Sequence, residues 1–210
     1  MAMETNNKPR LVFACFNKPV SSIESFLNDF FAKDLARQRA CISSDNIKAN
    51  SALIKLDSLK QMRQALINSR QFSYDAFFFT PLTYIDKTVM ISNLEDGWYT
   101  LCNVISKNLS CDYYQFGLSG ENESEPANLF MYVVNGSLER CVYSMKDGKW
   151  IFHSEGEPLH FEKQEAYESR LIKNRVTRQL LTDYCDHLGL FIEEEAFWES
   201  DCGLYFKKSF

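Results

Sequence analysis

The commonest chemical signatures are missing from this chain. It contains no G-x-x-x-x-G-K-[ST] loop, G-x-G-x-x-G turn, G-x-S-x-G elbow or H-E-x-x-H helix, which removes the usual nucleotide, hydrolase and zinc-protease readings without excluding an enzyme. Only 8 glycines occur in 210 residues, too few for a glycine-rich cofactor-binding fold. The seven cysteines (Cys15, Cys41, Cys102, Cys111, Cys141, Cys185 and Cys202) never form a C-x-x-C pair, so neither a zinc ribbon nor a thioredoxin-like site is expected. No apolar run approaches the ~20 residues that span a bilayer. The opening "MAMETNNKPR" lacks the charged-then-apolar layout of a signal peptide, and residues 1–10 read as a disordered tail. Several cysteines lie among apolar neighbours, as in "LVFACF", where Cys behaves as a small hydrophobe. A reducing, cytoplasmic setting is expected.

Apolar and aromatic residues are abundant. They make up 45% and 14% of the chain, with 17 Phe and 10 Tyr, enough for one substantial core or two small ones. Lys and Arg number 23 against 28 Asp and Glu, a net charge of −5. Nucleic-acid binding is disfavoured, because neutralising phosphates needs a clustered basic face. The acid is unevenly spread. Residues 91–130 carry Glu95, Asp96, Asp112, Glu121, Glu123 and Glu125 against Lys107, and "IEEEAFWESD" carries Glu193, Glu194, Glu195, Glu199 and Asp201 with no base. These stretches are either solvated loops or an acidic face for a basic partner.

The pattern along the chain predicts an α+β fold, an antiparallel β-meander sheet covered by helices, with an α/β N-terminal portion. "LVFACF" reads as a buried strand. A helix follows it, opened by a Ser21–Glu24 capping box and striped by Ile23, Phe26, Leu27, Phe30 and Leu35. A second helix is expected over 57–68, with polar residues 40–51 as a linker before it. "YDAFFFTPL" and "KTVMISNL" read as strands. Asp96 is placed to cap a helix striped by Trp98, Leu101, Cys102, Ile105 and Leu109. "LFMYVV", "SLERCVYSM" and "KWIFH" are joined by Asn135-Gly136 and Lys146-Asp147-Gly148, which supply the positive φ of tight hairpins. "DYYQFGL" adds a fourth strand. Beyond Pro158 a long helix is expected over 165–188, with Tyr167, Leu171, Leu181, Cys185 and Leu188 on one face. Arg170, Lys173, Arg175 and Arg178 form its basic face, and Gly189 its cap. That basic face is either a phosphate site or a solvated surface balanced by the acidic stretches. "GLYFKK" reads as a final edge strand. Residues 11–74 are read as a helix-rich N-terminal portion and 75–210 as the sheet domain, with one continuous domain as the alternative.

Three histidines occur, His153, His160 and His187. His153, Glu155, Glu157 and His160 lie close in sequence, so a metal site or an acid–base pair is one reading. The simpler reading, preferred here, is a polar loop leaving the meander. His187 is placed to meet the negative end of a helix dipole. Cys185 and His187, two apart on a helix, do not face each other as a nucleophile and base.

"DGWYTLCNVISKNL", "LFMYVVNGSLERCVYSMKDGKWIFHSEGEPLHFE" and "RLIKNRVTRQLLTDYCDHLGL" together resemble bacterial immunity-type proteins, small cytosolic partners that neutralise toxins delivered between competing cells. The resemblance covers residues 77–190. It implies no shared catalytic residues, no cofactor and no metal, and a cognate protein toxin as partner. Many such toxins are basic nucleases, and an acidic surface would steer association with them. The expected binding residues are Glu121, Glu123, Glu125, Glu193, Glu194, Glu195, Trp198, Glu199 and Asp201, with Tyr113, Tyr114 and Trp98 as further aromatic candidates, although for Trp98, as for Trp150, a place in the core is the preferred reading. A small hydrolase or nucleotide-modifying enzyme built on His153, Glu155, Glu157 and His160 is one rival. A structural adaptor subunit with an exposed apolar patch is the other.

Overall fold

A computed structural model describes residues 8–41, 49–53, 73–84, 86–200 and 203–209. The strands are β1 (Leu11–Phe16), β2 (Ala49–Leu53), β3 (Ser73–Phe79), β4 (Thr88–Ser92), β5 (Asp112–Leu118), β6 (Ala127–Val134), β7 (Ser137–Asp147), β8 (Lys149–Glu155) and β9 (Gly203–Ser209). They form one antiparallel sheet of order β2-β9-β3-β4-β1-β5-β6-β7-β8. The α+β class is that of the sequence analysis. β1 lies in the middle, between β4 and β5, so residues 11–16 belong to the same sheet as the meander.

Both faces of the sheet are covered, which explains why β1 and the second half of β3 are apolar at every position instead of at alternate ones. In β3, Phe77 and Phe79 enter one core while Ala76 and Phe78 enter the other. β1 likewise sends Phe13 and Cys15 to the first core, and Ala14 and Phe16 to the second. Two helices cover the second face: α1 (Val20–Cys41), through Val20, Ile23, Leu27 and Phe31, and α2 (Tyr99–Leu109), through Leu101, Cys102 and Ile105. α1 starts at Val20, one residue before Ser21, so the expected capping box falls inside the first turn. The side chain of Leu35 lies outside those described. Asp96 does tie the start of α2, since its Oδ1 accepts from the Trp98 N–H at 2.9 Å. Trp98 and Tyr113 are core residues and Tyr114 is half-buried. The first two cannot serve as partner anchors.

The first face is covered by residues 156–200, and here one expectation fails. The single helix over 165–188 is replaced by a short turn α3 (Gln164–Tyr167), a 3-10 turn (Ile172–Asn174) and α4 (Arg178–His187). Thr177 caps α4, its side chain accepting from the Leu180 N–H at 3.1 Å. Between the helices the backbone carbonyls are held by side chains: Ser144 Oγ, from β7, donates to the Ile172 carbonyl, and Arg175 Nε, from the segment itself, donates to that of Ser169. The basic stripe dissolves with the helix. Arg175 lies over the Phe152 ring at 4.9 Å, and Arg178 donates to the carbonyls of Pro9 and Ser119. The end of α4 is as expected: Leu190 N–H bonds Cys185 O and Gly189 N–H bonds Asp186 O, the paired closure of a Schellman motif.

β9 is not an edge strand. β2 pairs along its outer side and β3 along its inner side. The proposed helix over 57–68 and most of the proposed linker lie outside the described residues, and 49–53 is strand. No helix among the described residues is long and apolar enough to cross a membrane.

Candidate functional site

The two acidic stretches border the same piece of chain. Residues 119–126 link β5 to β6, and Asn128 Oδ1 anchors their base by accepting from both the N–H and Oγ of Ser119 at 3.0 Å. Residues 191–200 fold as a loop that turns Ile192, Phe197 and Trp198 inward and leaves Phe191 exposed. Trp198 is 3% exposed, and its Nε1 donates to the Ile192 carbonyl at 2.9 Å. Its ring packs against Phe13 and Phe79. Trp198 is therefore a core residue, not the anchor expected of it, because a polar indole N–H with a backbone partner can be buried at little cost. Fixing Ile192, Phe197 and Trp198 inside leaves Glu193, Glu194, Glu195 and Glu199 exposed. Asp201 lies outside the described residues.

Residues 8–10 run between the two stretches. Glu121 N–H donates to the Lys8 carbonyl, Arg10 stands 3.9 Å from Glu123, and Lys8 Nζ pairs with Glu193 at 2.7 Å. Glu121 and Glu125 are exposed beside them. The acidic surface continues to the end of α4. Burial, then the charges of Asp183, Glu193 and Glu194, push the Asp186 carboxyl above its ordinary value. The negative end of the helix dipole falls at the same place. Asp183 is held below its ordinary value by hydrogen bonds from Lys163 and Gln179. Exposed pairs such as Lys8–Glu193 are worth at most about 1 kcal/mol each, so they trim the negative potential and do not lock it.

The histidines part company. The His153 ring stacks on Tyr143 at 5.1 Å, and its Nε2 lies 3.3 Å from Glu155. His160 instead faces His187, with their Nε2 atoms 3.3 Å apart. Glu157 is exposed, and no group of three or more His, Cys, Asp or Glu that could hold a metal occurs among the described residues. His153, Glu155, Glu157 and His160 therefore do not make the converging pocket a hydrolase would need. The five cysteine thiols among the described side chains are poor nucleophiles. Burial pushes Cys15 to about 12 and Cys111 and Cys141 to about 11, and Cys102 and Cys185 also upward. An open groove of about 580 Å³ lies between α1 and α2, lined by Ser21, Ser25, Phe26, Asp29, Phe30 and Leu109.

A buried polar network under the loop after β8 had no counterpart in the sequence reading. The side chains of Arg140 and Glu162 are 1% and 0% exposed, with Arg140 Nη2 2.7 Å from Glu162 Oε2. Arg140 Nε also donates to Oε1, and Nη1 donates to Ser154 Oγ and to the carbonyls of Glu155 and Gly156. Glu162 further accepts from the Leu159 N–H at 2.9 Å and from the Tyr167 hydroxyl at 2.7 Å. Since Tyr167 spends its one proton there, Tyr184 donates to Tyr167 and accepts from the Lys163 N–H. Burial works to raise the Glu162 pKa, but hydrogen bonds from Arg140, Leu159 and Tyr167 outweigh it and hold the carboxyl below its ordinary value. Burial likewise raises Tyr167 and Tyr184. Every charged atom of the pair is occupied, so the network is a clamp for the loop and offers no group for chemistry. Arg140 points into the core because it alternates with Val142 in the regular part of the ladder. Just beyond it the register slips between Tyr132 and Val133, skipping Glu139, which puts Leu138 out of phase with Arg140 and in solvent.

No protein-family model, curated protein or solved structure matches this chain. The functional reading rests on the chain's own geometry.

Proposed function

We propose that the protein is a non-enzymatic binding protein of the immunity type, which neutralises a secreted toxin in the cytoplasm by docking a basic surface of it on the acidic face described above. The observation that carries this reading is the meeting of the two acidic stretches along residues 8–10, where Lys8 and Arg10 stand against Glu193 and Glu123 while Lys146 and Arg178 are engaged with the Ser124 and Ser119 carbonyls. Glu121, Glu125, Glu193, Glu194 and Glu195 are the side chains that would meet the partner. The chain's negative charge and its stiff, doubly covered sheet support the same reading, since an inhibitor needs shape and potential, not a reactive centre. Large exposed apolar side chains, among them Leu82, Leu138, Leu171 and Phe191, come from separate elements, which disfavours the adaptor reading.

The test is to mix the protein with the toxin encoded beside its gene. A complex by size-exclusion chromatography and rescue of growth are expected. Reversing Glu193, Glu194 and Glu195 to lysine should weaken binding at least about tenfold at low salt and much less near 1 M salt. A complex indifferent to both reversal and salt would remove the acidic face from the account.

A further inference from the structure

We propose that His160 and His187 form a two-imidazole chelate for a divalent d-block cation of the zinc class. Their Nε2 atoms are 3.3 Å apart, with ring centroids 5.3 Å apart at an interplanar angle of 67°. Two ligands at ~2.0–2.1 Å on a tetrahedral ion stand about 3.3–3.4 Å from one another, so this pair is set at chelating distance. A direct N–H hydrogen bond would more often close to ~2.7–3.2 Å.

Rigid parts of the fold hold both rings. His187 ends α4, where the Schellman closure fixes the backbone. His160 sits in the turn whose Leu159 N–H and Glu162 N–H are both bonded within it, and Glu162 is gripped by Arg140. The Phe161 ring packs beside His160 at 5.5 Å and His187 at 5.2 Å, and is itself seated on Phe130 and Tyr184. A chelate needs such preorganisation. The carboxylates Asp186, Glu193 and Glu194 around the end of α4 supply a potential favourable to a cation.

Imidazole nitrogens select zinc, copper, nickel or iron over magnesium or calcium. Both rings are exposed, and no third His, Cys, Asp or Glu joins them among the described residues. Two coordination positions therefore face water or a partner's side chain, and affinity falls well short of that of a closed four-ligand site. The inference stands independently of the toxin-binding reading.

The experiment titrates the full, untagged, metal-free protein with Zn²⁺ by calorimetry, with Mg²⁺ in parallel, and records the visible spectrum with Co²⁺. One-to-one saturable Zn²⁺ binding, no Mg²⁺ binding and a tetrahedral Co²⁺ absorption are expected. His160→Gln and His187→Gln should each weaken Zn²⁺ at least about tenfold, while His153→Gln leaves it unchanged. No saturation below about 1 mM, or binding that survives either substitution, would overturn the proposal. So would equal loss with His153→Gln. Should a variant misfold, Zn²⁺-dependent shifts of the His160 and His187 ring resonances in the unsubstituted protein decide the matter, and shifts at His153 instead would overturn the proposal.

Discussion

Replacing Arg140 with methionine is the sharpest probe of this fold. The substitution keeps the apolar stem and removes the guanidinium, stranding Glu162 with two neutral donors, the Leu159 N–H and the Tyr167 hydroxyl. At 1% and 0% exposure, the pair belongs with buried ion pairs, for which removing one partner costs about 3–5 kcal/mol, and not with surface pairs at about 0–1 kcal/mol. For a chain of this length that lowers the thermal midpoint by roughly 6–20 °C. Glu162→Leu should cost a similar amount, and the double substitution should be less destabilising than the two singles added, because no buried charge is left over. Thermal and urea unfolding of the four proteins measure this cycle. The pH dependence adds a second constraint. The folded pKa of Glu162 lies below its ordinary 4.5, so the stability it lends is complete above that value and is lost as pH falls through the folded pKa. Without Arg140, burial dominates and pushes the carboxyl up, so the variant recovers stability as pH falls from that raised value to about 4.5, the parent loses its share below about 4.5, and the gap narrows across both windows. Singles costing under about 1 kcal/mol, additive losses, or a gap that ignores pH would refute the reasoning.

Three further outcomes are expected. Gly156→Ala should destabilise by about 2–4 kcal/mol in urea titrations, because the backbone sits at φ +80° and a Cβ would fall 1.9 Å from the Glu139 carbonyl oxygen. Thr177→Ala should cost about 1 kcal/mol through the lost cap of α4, with Thr177→Ser restoring most of it. Cys15, Cys102, Cys111, Cys141 and Cys185 should resist a thiol reagent at pH 8 until the protein is unfolded, read by mass spectrometry of labelled peptides, since all five are buried and burial holds their thiols protonated.

Local chemistry made the meander legible. Asn135 and Gly136 adopt the positive φ their side chains allow, 51° and 78°, and the flanking runs pair as read. The helix over 165–188 was misread because a periodic stripe ignores where backbone partners come from. Leu171 fits the stripe yet is 52% exposed, whereas Val176, off the stripe, is fully buried. What breaks the helix are Ser144 and Arg175 reaching the carbonyls between its two halves, and no local window contains the Ser144 contact. The Arg140–Glu162 clamp is illegible in the sequence for the same reason. An arginine two residues before Val142 on an alternating strand is its one visible sign, but its partner Glu162 lies 22 residues on and no local pattern pairs the two. The acidic stretches were found as composition, but their shared border depends on residues 8–10. Trp198 was misassigned because the Ile192 carbonyl that satisfies its indole cannot be read from side-chain identity. Nor does sequence distance bring His160 to His187.

The position of β9 has a consequence for biosynthesis. β2 touches the sheet only through β9, and β9 occupies the flank that β3 would otherwise present. A nascent chain that has emitted everything up to Ser200 thus holds β2 adrift and β3 bare along one side, a sticky template for other polypeptides. Until residues 203–209 clear the ribosome, that vacancy invites chaperone capture, and a premature stop before them would cost the protein two strands at once.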